Sequence, residues 1–426
     1  MTARVNRLRA IADVMHEHFN SVLRFIGVAL LALGVVRLLY VATIPSFSLI
    51  ELGLLALIYP SLPVGKLDAR RLGGWRFLGA VVAASFVFKL LWVNITLSIF
   101  PQAVLDIQYY QPVVEQVAET LALPHDMWWE PLSIIAMAGL VRVGIPFSSV
   151  ARVFIPALSS LTLIPFFLVF RNFDKPEAVS VATLLLAFAP MELSMLQIQM
   201  YRDIFAGFFL MAALYFTFTE SRRIPVMTLL SAAALFLSHV VPSLLYLATV
   251  LVYGLWNRKE RNGKRCEILF AFLAGILLVS MLCFSHTIYS WLYNYVRSFK
   301  LAEVPLILSR VYFLRHALVP GAVLIVSSMP TLVYLVSSRA SRLDLALAML
   351  VGLSLLSLPL LVGGYGKIEY LGGDQPLLVL WLGTQFPIAI LAARTIETNS
   401  KGRSFLLLVV LLTIASSLAL ISTYFY

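Results

Sequence analysis

The chain has 426 residues, 61% of them hydrophobic and only 12% charged, with a formal net charge of +11. Soluble globular domains carry roughly 25% charged residues, so a mean hydropathy of +0.92 excludes a single water-soluble core and makes lipid the solvent. The basic residues come in short clusters between apolar runs, a pattern of membrane topology and anionic headgroups that argues against nucleic-acid binding.

Residues 1–20 hold Arg4, Arg7, Arg9, Asp13, His16, Glu17 and His18, and read as a cytoplasmic amphipathic lead-in. A membrane helix needs about 20 apolar residues. Such runs predict spans near 21–43, 46–63, 76–100, 149–170, 177–196, 203–219, 224–238, 241–256, 267–285, 313–336, 343–362, 376–393 and 404–424. The expected fold is an all-α integral membrane protein, a polytopic bundle of about thirteen transmembrane helices forming one domain over 21–426. Cys266 and Cys283 fall near opposite ends of one predicted span, about 25 Å apart at 1.5 Å per residue, too far to pair.

Arginine and lysine set the expected orientation. Alternate connections carry Lys66, Arg70, Arg71 and Arg76; Arg171 and Lys175; Arg222 and Arg223; Arg258, Lys259, Arg261, Lys264 and Arg265; Arg339 and Arg342; and Arg394, Lys401 and Arg403. With Arg4, Arg7, Arg9 and Arg24 these make 22 of the 32 basic residues on one side. By the positive-inside rule that side is cytoplasmic. The expectation is a multi-pass protein of the cell membrane, N-terminus inside and C-terminus outside.

Three outer segments are long enough to carry function: 101–148, 286–312 and 363–375. The first opens with Asp106 immediately after a membrane helix, followed by Tyr109 and Tyr110. A short amphipathic helix is predicted over 113–121, with Glu115 and Glu119 on one face. After Trp128, Trp129, Glu130 and Pro131 a second amphipathic stretch, 132–143, is too short to span but suits the interface plane. Paired tryptophans favour the headgroup level. An acid at the mouth of a membrane helix beside interfacial helices suits a catalytic carboxylate over a lipid-substrate cleft; a solvated loop acid is the plain alternative.

Further on, Arg202 and Asp203 sit where a span begins on the outer face, and Glu192 lies near the outer end of the preceding one. Ionisable groups at a membrane edge are costly unless solvated, paired or functional. Arg202 suits a lipid phosphate. Asp203 and Glu192 could share a divalent cation, Mg or Mn, through oxygen ligands. His239, beside Pro242 in a short hairpin, could contact a phosphate or sugar, or simply pack in a turn. Arg297, Arg310 and Arg315 stand on the outer side, where basics are scarce, and suit an anionic lipid phosphate; headgroup snorkelling is the alternative. Lys367 lies in GGYGKIEYLGGDQ, a Gly-rich outer segment suited to capping a site or to plain connection.

The layout of Asp106, WWEPLSIIAMAGLVRVGI, the returning span VARVFIPALSSLTLIPFFLVFRNF and then MELSMLQIQMYRDIFAGFFLMAALYFTF resembles the GT-C superfamily of integral-membrane glycosyltransferases. Protein O-mannosyltransferases, aminoarabinose transferases and oligosaccharyltransferase catalytic subunits belong to it. The likeness covers roughly residues 76–256. It departs from the family in having three spans before the first outer loop instead of one, and in lacking a soluble domain of the oligosaccharyltransferase type.

The resemblance implies sugar transfer from a polyprenyl- or dolichyl-phosphate donor to a hydroxyl of a glycan, lipid or protein acceptor, with inversion. Asp106 would be the general base. Arg202, His239, Arg297, Arg310, Arg315, Lys367, Tyr109 and Trp128 would contact substrate, and Asp203 and Glu192 would take any metal. The alternatives are a lipid-linked glycan polymerase or ligase, a lipid-linked-sugar flippase or other transporter, and a structural membrane subunit. Mid-span charges are few, Arg37 and Lys89 being the nearest, which weighs against ion-coupled transport.

Overall fold

The computed structural model describes residues 2–40, 44–65, 74–99, 105–124, 131–172, 175–189, 192–193, 196, 201–219, 225–256, 261–283, 325–326 and 386–422. The expected spans 313–336 and 343–362 and the outer segments 286–312 and 363–375 lie essentially outside them. Among the described residues the chain is helical throughout, with no strand. Four helices are long and apolar enough to cross a membrane: His18–Arg37, Trp75–Ser98, Phe147–Arg171 and Tyr201–Phe218. Further apolar helical stretches of 10–17 residues lie in the other helices. The chain is thus a helical protein of membrane type.

Helix α1 (Thr2–Tyr40) runs without a break through the expected lead-in and the first span. It packs principally against α2 (Ile44–Ile58). The two backbones meet at glycines: a Cβ on Gly53 would lie 2.7 Å from the Leu31 amide nitrogen and 2.9 Å from the Gly27 carbonyl oxygen. Small residues allow this approach between membrane helices, where dispersion replaces the hydrophobic effect as the packing force.

Helix α3 (Trp75–Ile99) leads toward the first outer segment. That segment folds as α4 (Leu105–Thr120) and α5 (Leu132–Arg142), which pack on each other. Where sequence periodicity predicts a helix only from 113, α4 begins at Leu105 and takes in Asp106, Tyr109 and Pro112. Leu121 ends α4 at φ 57°, a left-handed C-terminal stop. Arg142 of α5 donates to the Ala118 carbonyl at 2.9 Å, satisfying an end carbonyl and opposing the negative helix terminus.

The returning helix α6 (Phe147–Arg171) contains a π-helical turn, Val150–Phe154, just before Pro156. Proline lacks the N–H that would continue the α ladder, and a widened turn accommodates the gap. Helix α7 (Pro176–Ala187) opens on proline at its first position and stops well short of the expected end at 196. Pro190 explains the stop, since residues preceding proline disfavour helical geometry. Helices α8 (Tyr201–Phe218), α9 (Pro225–Ser238), α10 (Val240–Trp256), α11 (Arg261–Cys283), α12 (Phe386–Thr398) and α13 (Gly402–Ser422) complete the described bundle. The expected short pair 224–238 and 241–256 corresponds to α9 and α10, broken at His239.

Buried apolar side chains form two clusters. One joins the end of α3 to α4, α5, the start of α6 and the start of α8, through Trp92, Leu97, Tyr110, Val114, Ile134, Phe147 and Tyr201. The other fills the remainder, from Phe166 and Leu186 to Ile390 and Val409. At the end of the bundle away from α4 and α5, the turn after α2 is tied to the α12–α13 turn. Gly65 N donates to Ser400 O at 2.9 Å, and Lys401 Nζ donates to the carbonyls of Tyr59 at 3.2 Å and Pro60 at 2.7 Å. Lys175 reaches Glu397 at 2.9 Å on the same end.

Candidate functional site

The start of α8 and the α9–α10 junction bring three of the expected residues together. Asp203 lies in the first turn of α8, where the helix dipole favours a carboxylate. His239 Nε2 lies 3.3 Å from Asp203 Oδ1, with both side chains nearly sealed from solvent. Arg202 places its guanidinium 5.8 Å from the centroid of the Tyr110 ring, within range of a cation–π attraction. Tyr110 in turn meets Tyr201 at 5.5 Å, and Phe147 closes on Tyr201 at 6.1 Å. The result is a compact cluster of a carboxylate, an imidazole, a guanidinium and two phenols, one of the phenols supplied by α4.

His239 sits between α9 and α10, outside both helices. A carboxylate at 3.3 Å favours the imidazolium. Burial outweighs it, and with the nearby Arg202 charge added the pKa falls to about 3. The imidazole is therefore neutral at physiological pH. In the unfolded chain it titrates near 6.5, so the unfolded state binds the proton first as pH falls. Stability from this group is complete above that value and is lost progressively toward pH 3. The unfolding free energy of the wild type is expected to fall between pH 7 and pH 4.5, with a slope approaching about 1.4 kcal/mol per pH unit, read as a falling melting temperature. His239→Gln should flatten that part of the curve; an unchanged slope would exclude His239 as its source.

Glu192, expected near Asp203, is engaged elsewhere. Its Oε2 accepts the Lys89 ammonium in an ion pair whose two side chains are fully buried. Lys89 also donates to Ser159 Oγ at 2.9 Å. One turn away, Ser85 Oγ donates to the Ala187 carbonyl at 3.1 Å and receives Ser160 Oγ at 3.4 Å. Ser85, Lys89, Trp92 and Thr96 form one stripe of α3 at spacings of four, three and four, and all four are at most 3% exposed. Sequence reasoning noted Lys89 only as a stray mid-span charge. The available signal was this stripe together with Ser159 and Ser160 in an otherwise apolar helix.

Asp106 and Tyr109 lie in the first turns of α4 by their backbone. Trp128, Trp129, Arg297, Arg310, Arg315 and Lys367 lie outside the described residues. No group of three or more His, Cys, Asp or Glu converges among the described residues. No family model, no curated protein and no solved structure matches the chain.

Proposed function

We propose that the chain is a membrane glycosyltransferase of GT-C type, moving a sugar from a polyprenyl- or dolichyl-phosphate donor onto an acceptor hydroxyl at the outer face. The observation that carries this reading is the Asp203–His239 contact beside Arg202, whose guanidinium faces the ring of Tyr110 from α4, with Asp106 on the first turn of that same helix. The orientation rests on a further agreement. Segments assigned inside by their basic residues, 59–65, Lys175 and 397–404, gather at one end of the bundle. The α4–α5 pair, Arg202–Asp203 and His239, assigned outside, belong to the other. About thirteen spans, with the N-terminus inside, remain the topology this reading uses.

In the proposed reaction the acceptor oxygen attacks the anomeric carbon as its proton passes to the Asp106 carboxylate. The bond from the anomeric carbon to the phosphate oxygen breaks, and the lipid phosphate departs with the electron pair. Arg202, or one of Arg297, Arg310 and Arg315, neutralises that charge. A single displacement inverts the anomeric centre. A divalent cation would add Lewis-acid stabilisation of the same phosphate. Asp203 and His239 supply an oxygen and a nitrogen toward one, too few for a full ligand set, so no step here depends on it.

The test is label transfer from polyprenyl-phosphate sugars in membranes, comparing wild type with Asp106→Asn at equal expression. Loss of a general base costs about 10²–10⁴-fold, so the variant should fall by at least that lower bound. Equal transfer would remove Asp106 from the mechanism, and absence of label with the wild type would sink the donor assignment. A lipid-linked-sugar flippase or transporter is the second reading, favoured by the buried Lys89–Glu192 pair, since ionisable residues at membrane depth mark transport pathways as well as struts. It predicts translocation of a fluorescent lipid-linked sugar in liposomes that Asp106→Asn leaves intact.

A further inference from the structure

Between α3 and α6, at the end away from the α4–α5 pair, lies an open cleft of about 410 Å³. Trp75, Gly79, Ala83 and Phe86 of α3 line it, facing Ala157 and Ile164 of α6. The one hydroxyl in its wall, Ser160, is already committed to the Pro156 carbonyl at 2.9 Å and to Ser85. The wall therefore offers water nothing to bond, while both flanking helices are apolar and long enough to cross a membrane. From Trp75 to Phe86 the cleft runs about 16 Å along α3 at 1.5 Å per residue.

The mouth of the cleft is of a different chemistry. Trp75 is 59% exposed and its ring lies 6.3 Å from that of Phe167. The next residue, Arg76, is exposed, and so is Arg171, one helical turn beyond Phe167. Neither arginine has an acidic partner among the described residues. A tryptophan at the rim of an apolar slot, with two exposed guanidiniums at the same end, suits a phospholipid whose chain enters the slot while its phosphate stays at the rim.

We propose that this cleft binds one acyl chain of an anionic phospholipid, with its phosphate at the Arg76–Arg171 end. The charge at the mouth selects this occupant over a bare hydrocarbon or an apolar protein segment. A donor lipid serving the site proposed above would carry its phosphate at the opposite end of the bundle, near Arg202, so the cleft is separate from that site and its test is independent of transfer activity.

Gly79 makes the test clean, because a Cβ added there meets nothing within 4 Å. Wild type, Gly79→Leu and Arg76→Gln are placed in liposomes containing phosphatidylglycerol with a photoactivatable diazirine on its acyl chain. Crosslinks are mapped by mass spectrometry and referenced to the lipid-facing peptide of α1 around Phe25 and Leu33. Wild type should label strongly over 75–86 and 157–164. Gly79→Leu should cut that labelling about tenfold, the loss expected when roughly two methylenes are shut out, with an unchanged melting temperature. Should that variant melt early, Ala83→Leu fills the same cleft from an exposed position. In Arg76→Gln, unlabelled phosphatidylglycerol should compete less well. Equal labelling of wild type and a filled variant overturns the proposal. So does displacement of the label by polyprenyl phosphate and not by phosphatidylglycerol.

Discussion

Replacing Lys89 with methionine is expected to lower stability by about 3–5 kcal/mol, the usual cost of stranding one partner of a buried ion pair. Glu192 would keep its carboxylate inside the bundle with Ser159 as its neighbour and no cation. The double replacement Lys89→Met with Glu192→Leu should recover most of the loss, because apolar side chains of similar volume avoid the desolvation penalty altogether. Melting of the detergent-solubilised protein checks both. A single variant that melts like wild type would mean that water reaches the pair and that this part of the interior is not sealed. Recovery of stability in the double variant also frees the question of function. If transfer or translocation returns with the fold, the pair is a strut between α3 and the segment leading to Arg202 and Asp203. If stability returns without activity, the charges themselves take part.

The same pair marks the limit of what the sequence displays. Helix starts are legible where the chain punctuates itself: Pro176 and Pro225 open α7 and α9, and Gly402 opens α13. The candidate acids and bases of the outer face could be picked out singly, because a charge beside an apolar run is conspicuous. Their pairing could not. Lys89 and Glu192 are 103 residues apart, and nothing local distinguishes a lysine that will meet a glutamate from one that will reach for headgroups. Sequence proximity therefore pairs Glu192 with Asp203, its nearest acid in sequence, whereas the fold gives Asp203 to His239. Helix α4 was read too short for a related reason. Gln111-Pro112 breaks the apolar periodicity and looks like a boundary, yet α4 continues through Pro112, which leaves the Gln108 carbonyl without its usual backbone donor.

Gly53→Leu is expected to separate α1 from α2 while leaving the rest of the bundle assembled. Overpacking a core commonly costs about 1–3 kcal/mol, and the upper end applies here because the obstacle is backbone. The new Cβ would meet the Leu31 amide nitrogen at 2.7 Å and the Gly27 carbonyl at 2.9 Å. A flexible side chain could swing aside, but two main chains can only move apart. Among the described residues α1 leans on little besides α2, so its loss need not propagate. A crosslink reads this directly. Arg24 and Ser61 lie within 3.5 Å at their tips. Cysteines at both, with Cys266 and Cys283 replaced by serine, should join through a short bismaleimide in the parent and fail to do so with Gly53→Leu. Gly275→Leu is the control, since a Cβ there meets nothing within 4 Å and the crosslink should persist. Retention of the crosslink with Gly53→Leu would mean that α1 is held by contacts other than the glycine crossing. Its loss would make α1 a peripheral helix whose packing on α2 depends on the glycine crossing, and so an element readily displaced without touching the cluster around Asp203 and His239.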